Sequence, residues 1–144
     1  MSSIAIGNNK IVFSNETTIS HIEVFKNAVC FSTCPLESDL DDSKIETHQI
    51  WKERCKNNPS ELFCYNKEGL LKWKFSEQNV VGFGKIIPEL EKEENFITIE
   101  HYRKYLEKFK GKELLEVYVG SWPYDYRYVI DANSGEIYDK MKVR

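Results

Sequence analysis

The chain has 144 residues, of which 41% are hydrophobic, 13% aromatic and 30% charged, with a formal net charge of −3. That length suits one domain able to build its own core, and the composition is that of a globule rather than a disordered chain. The acidic balance, with Lys and Arg interleaved among Glu, argues against a duplex nucleic acid as partner. No run of 18 apolar residues offers a membrane span, and no basic, apolar leader is visible, so a cytoplasmic location is the expectation.

The first expected element is a hairpin. Runs 3–6 and 10–13 are rich in Ile and Val and flank Gly7, Asn8 and Asn9, residues that tolerate positive φ in a tight turn. After a polar stretch at 14–20, runs 22–25 and 28–31 form a second hairpin about Lys26 and Asn27. Segment 35–42 is acidic and rich in helix breakers, which predicts an exposed loop. Ile45, His48, Gln49, Ile50 and Trp51 against charged neighbours then give a short helix near 44–56. Runs 61–65 and 70–75 make a third hairpin, with Gly69 in the turn and Leu71, Trp73 and Phe75 alternating with lysines. Residues 79–87 read as a strand interrupted by glycines, and Pro88 with the charged run 89–95 as a surface loop.

The spacing of Ile99, Tyr102, Tyr105, Leu106 and Phe109 predicts an amphipathic helix over 99–109. Thr98 supplies an N-cap oxygen and Gly111 a C′ residue, while Glu100 and the pair Lys108 and Lys110 match the helix dipole. Run 114–119, loop 120–125, run 126–130, turn 131–135 and run 136–138 close the chain with further antiparallel strands. The expected fold is therefore a single α+β domain. It consists mostly of antiparallel sheet made of consecutive hairpins, about eight strands, with helix 99–109 packed on one face.

Two of these hairpins resemble a known unit. Residues 63–75, with Tyr65, Gly69 in the turn and Trp73 after it, resemble the strand–turn–strand repeat of quinoprotein-type β-propellers. Residues 128–138 are similar, with Asp131 and Gly135 in the turn and Tyr138 where that repeat carries Trp. Together they cover about a sixth of the chain. What the resemblance implies is a tight turn with a stacked aromatic, not a propeller, which needs at least about four blades of four strands. It carries no quinone or metal chemistry.

Candidate chemistries fail on their own requirements. An EF-hand loop begun at Asp39 needs Gly and Glu where Lys44 and Ile50 stand. Gly82 and Gly84 start a dinucleotide fingerprint whose third glycine falls on Ile87, and Pro88 follows where free N–H groups are required. The four cysteines, Cys30, Cys34, Cys55 and Cys64, lack zinc-site spacing. Reduced thiols are expected, with Cys30 and Cys64 acting as small buried hydrophobes. His21, His48 and His101 are the available bases; His48 and Cys55 lie two helical turns apart, too far for direct contact. No cofactor, metal or catalytic residue is expected.

The segment 122–128 gathers Trp122, Pro123, Tyr124, Tyr126, Arg127 and Tyr128, and such side chains are enriched at binding hot spots. Pro123 stiffens it. Alternation sends Tyr126 and Tyr128 to one strand face and Arg127 to the other, so at least one tyrosine packs on the core. A small acidic chain with acidic loops at 37–46 and 89–94 is also similar in character to bacterial immunity proteins, which neutralise contact-delivered toxins. That similarity implies a non-enzymatic protein-binding role. The acidic residues Asp39, Asp41, Asp42, Glu91 and Glu93 would meet a basic toxin domain, and Trp122, Tyr124, Tyr126 and Arg127 would supply the contact. The alternative is a small-molecule-binding or hydrolytic domain whose pocket lies between helix and sheet, lined by Tyr102, Tyr105 and the Trp122 loop. A structural or oligomerising role would use the edge offered by 4–6.

Overall fold

Period-2 alternation gives ten strands, and two 3.6-period segments give helices, in a computed structural model that describes residues 2–143. The order is β1 (Ser3–Ile6), β2 (Asn9–Val12), β3 (Thr17–Val24), β4 (Val29–Pro35), α1 (Glu46–Asn57), β5 (Leu62–Tyr65), β6 (Leu71–Lys74), β7 (Val80–Ile86), α2 (Ile99–Phe109), β8 (Leu114–Ser121), β9 (Tyr124–Asp131) and β10 (Ile137–Lys142). Two short 3-10 turns, Pro88–Leu90 and Glu93–Asn95, precede α2.

All strand pairing is antiparallel, as the α+β expectation required, but the strands divide among three sheets. One is the hairpin β1–β2; the others run β3-β4-β5-β6 and β10-β9-β8-β7. Alternation explains the layering. On β4 and β5, Cys30, Leu62 and Cys64 point inward, while Val29, Phe31, Phe63 and Tyr65 point out. The inward set meets Leu115, Val117, Tyr128 and Ile130 of the second sheet, which forms the main core between two sheet faces. The outward set is covered by Ile4, Ile6, Ile11 and Phe13 of the β1–β2 hairpin. Leu62, Leu115 and Ile130 are fully buried, each contributing about 1.5–3 kcal/mol by leaving water.

The far face of the second sheet carries α2. Thr98 Oγ1 accepts the His101 N–H at 3.1 Å and starts the helix. Phe109, its one buried residue, packs with Ile86, Leu114 and Tyr138. Tyr105 packs on Phe109 as well as on Phe96, with ring centroids 5.1 and 4.9 Å away, while Tyr102 rests on Phe96 at 5.3 Å, so the helix seats by its C-terminal half.

Two departures from expectation have physical causes. The polar stretch 14–20 contains half of β3, because Thr17 is buried and donates its hydroxyl to Asn58 Oδ1 at 2.8 Å, a partner remote in sequence. α1 forms where expected but buries Thr47 and Arg54, while Ile45 and Ile50 stay exposed. Arg54 can be buried because Glu16 (3.0 Å), Asp39 (2.6 Å) and the Leu36 carbonyl (2.7 Å) satisfy its guanidinium.

The two turn-and-aromatic hairpins touch. Trp73 donates its indole N–H to the Ala132 carbonyl at 2.9 Å and lays its ring against Gly135.

Candidate functional site

β8 and β9 pair without slip from Leu114↔Asp131 to Ser121↔Tyr124, leaving Trp122 and Pro123 as a two-residue tip. Two eight-residue strands therefore hold the tip, and Trp122 projects from it 96% exposed. Tyr124 follows, 43% exposed, with Lys142 Nζ 4.1 Å from its ring centroid. Tyr126 is half-buried against the main core and carries Lys140 Nζ 4.5 Å from its ring. Tyr128 is buried, edge-on to Phe75 at 5.0 Å. Arg127 faces the other way, where its Nε and Nη2 both bond Glu116 Oε2 at 2.9 Å. Glu116 thereby joins the candidate site, although it was not among the residues expected from the sequence. Its signal was a lone acid inside an otherwise apolar strand, opposite Val129 and diagonal to Arg127.

The acidic candidates sit on two other parts of the surface. Asp39 is bound by Arg54, whose guanidinium holds its carboxyl below the usual carboxylate range. The Ser43 hydroxyl and N–H bond Asp41 Oδ1 at 2.7 and 3.0 Å and lower its pKa likewise. Asp42 is exposed on the rim of a cleft of about 240 Å³ that also takes Glu37, Lys44, His48 and Trp51. Glu91 is half-buried and Glu93 exposed. Glu93 borders a depression of about 530 Å³ with Phe96, Ile97 and Ile99, where Ile97 is 88% exposed. The exposed apolar rim at Ile97 was not foreseen, because a lone Ile between Phe96 and Thr98 has no period to read.

The cleft between α2 and the second sheet measures about 290 Å³. Tyr105 lines it as expected; its other walls are Ile86, Phe109, Arg127, Val129 and Tyr138, with Lys108 and Asp139 at the side. Tyr102 and the Trp122 tip are not among the lining residues, and neither a His nor a Cys is. His21 pairs with Glu23 at 2.9 Å and lies edge-on to the Phe83 ring of the second sheet, with centroids 4.9 Å apart. Burial and the charge of Glu37 push the Cys55 thiol up, which works against a thiolate there. Among the described residues no three His, Cys, Asp or Glu side chains converge on a metal position, and no helix is long and apolar enough to cross a membrane.

Comparison with protein-family models, with curated proteins and with solved structures finds no match to this chain.

Proposed function

We propose that this chain is a non-enzymatic protein-binding protein, acting as an immunity protein that captures a basic toxin domain. The observation that carries the reading is Trp122, 96% exposed on a two-residue tip between long paired strands. A tryptophan so placed is a large rigid anchor that loses little freedom on docking, and anchors of this kind are worth about 2 kcal/mol or more at an interface. Tyr124 extends the same tip, and the exposed carboxylates of Asp42 and Glu93 would steer a positively charged partner. Asp39 and Arg127 enter this picture as supports, since each is engaged by an internal partner, Arg54 and Glu116.

Affinity purification of the tagged chain from its native cell tests the proposal. The expected result is one stoichiometric basic partner, lost with Trp122→Ala, which arrests growth when expressed alone and is tolerated with this chain. Recovery of no stoichiometric partner, or equal recovery with Trp122→Ala, overturns it. A small-ligand role attaches instead to the α2 cleft, whose volume of about 290 Å³ lies at the low end for ligand sites. Binding there would respond to Tyr105→Ala and be indifferent to Trp122→Ala.

A further inference from the structure

Cys30 and Cys64 stand directly opposite each other on the neighbouring antiparallel strands β4 and β5. Opposed residues in such a ladder hold their Cα atoms about 4.5–5.5 Å apart, inside the roughly 4.4–6.8 Å span of a disulfide. Both side chains are fully buried on the inner face, and their sulfurs lie 2.8 Å apart. The approach is enforced by groups other than the thiols. On the opposite face, Phe31 stacks on Phe63 and on Tyr65 with centroids 5.6 Å apart in each pair, which fixes the register of the two strands.

From this we infer that Cys30 and Cys64 are a covalent modification site: an intrachain cross-strand disulfide closed by exchange with a low-molecular-weight disulfide such as oxidised glutathione. One cysteine thiolate attacks the external disulfide, forming a mixed disulfide and releasing one small thiol. The second thiolate attacks the protein-bound sulfur and displaces the other. Two protein thiols and one external disulfide thus become one protein disulfide and two small thiols; the external disulfide takes the two electrons and the two protons. Closing the gap moves the sulfurs by less than about 1 Å, so neither strand has to shift.

In the folded dithiol, contact with Cys64 and burial push the Cys30 thiol far above its ordinary range. The closed pair is therefore a poor nucleophile, and exchange takes place during folding or when these strands open. The bond ties residues 34 positions apart, so it closes a loop holding the acidic segment and α1. A loop of that length raises the melting midpoint by about 10 °C.

The test uses the full chain carrying Cys34→Ser and Cys55→Ser, refolded in mixed reduced and oxidised glutathione and, separately, in dithiothreitol. The glutathione sample is expected to lose the mass of two hydrogens, show no alkylatable thiol in denaturant, and melt about 10 °C above the reduced sample. Two alkylatable thiols remaining in a sample with native circular dichroism overturn the inference. If the double variant does not fold, the wild-type chain is refolded identically and mapped by non-reducing peptide mass. A Cys30–Cys64 link supports the inference; no link, or one through Cys34 or Cys55, refutes it.

Discussion

Gly135 is where the two turn-and-aromatic hairpins press hardest on one another, and Gly135→Ala measures that contact. Its φ of +78° lies in the left-handed region, which costs an L-residue about 1–2 kcal/mol. A Cβ placed there would lie 2.8 Å from Trp73 Cγ, 2.9 Å from Cδ2 and 3.1 Å from Cβ, all on the rigid base of the indole. Moving the ring adds about 1–3 kcal/mol of overpacking and strains its hydrogen bond to Ala132, worth about 1 kcal/mol. The total is about 3–6 kcal/mol. Gly111 provides the control: its φ is +75°, yet a Cβ there meets nothing within 4 Å, so Gly111→Ala costs only the backbone part, about 1–2 kcal/mol. In urea unfolding followed by circular dichroism, with a slope of about 2 kcal/mol/M, the two midpoints should differ by about 1–2 M. Equal midpoints for the two variants would refute the Trp73 contact.

Leu115→Ala removes a fully buried side chain between the two large sheets and should cost about 2–5 kcal/mol in the same assay, as a cavity there cannot drain to solvent. Trp122→Ala should leave stability within about 0.5 kcal/mol while removing the most iodide-quenchable part of the fluorescence, since Trp51 and Trp73 are both half-buried. Acid should unfold the chain through its depressed carboxylates. Partial burial works against the charge of Asp131, but the Asn133 N–H, the Tyr138 hydroxyl, the Ser134 N–H and nearby Lys112 outweigh it, so its pKa is lowered. Because Asp131 ionises below its unfolded value of about 3.9, its stabilisation is complete above that pH and is lost as pH falls through the folded value. The melting midpoint should therefore fall less steeply from pH 5 to pH 2 in Asp131→Asn; an unchanged slope would contradict this.

The helix 99–109 was legible because every signal is local: the stripe, the Thr98 cap and the Gly111 stop all act within a few residues. The hairpin turns at Gly7, Gly69 and Gly135 were legible for the same reason, and each takes positive φ. What the sequence concealed depends on contacts between remote residues. Thr17 belongs to a strand because Asn58 receives its hydroxyl, and Arg54 is buried because Glu16 and Asp39 meet it; neither follows from a period. The division into separate sheets turns on which hairpin faces which, which alternation alone does not specify. At the candidate site, alternation separated Tyr126 from Arg127 correctly. The exposure of Trp122 rests on the register Ser121↔Tyr124, and the engagement of Arg127 on Glu116 across the ladder.

The proposal of a partner-binding tip is tested most directly by isothermal titration of the purified chain and its Trp122→Ala variant against the captured partner, at two salt concentrations. The variant is expected to have a dissociation constant at least about 30-fold higher, the effect of losing a hot-spot anchor, and both proteins to bind more weakly at high salt. Equal affinity of wild type and variant for the same partner would contradict it.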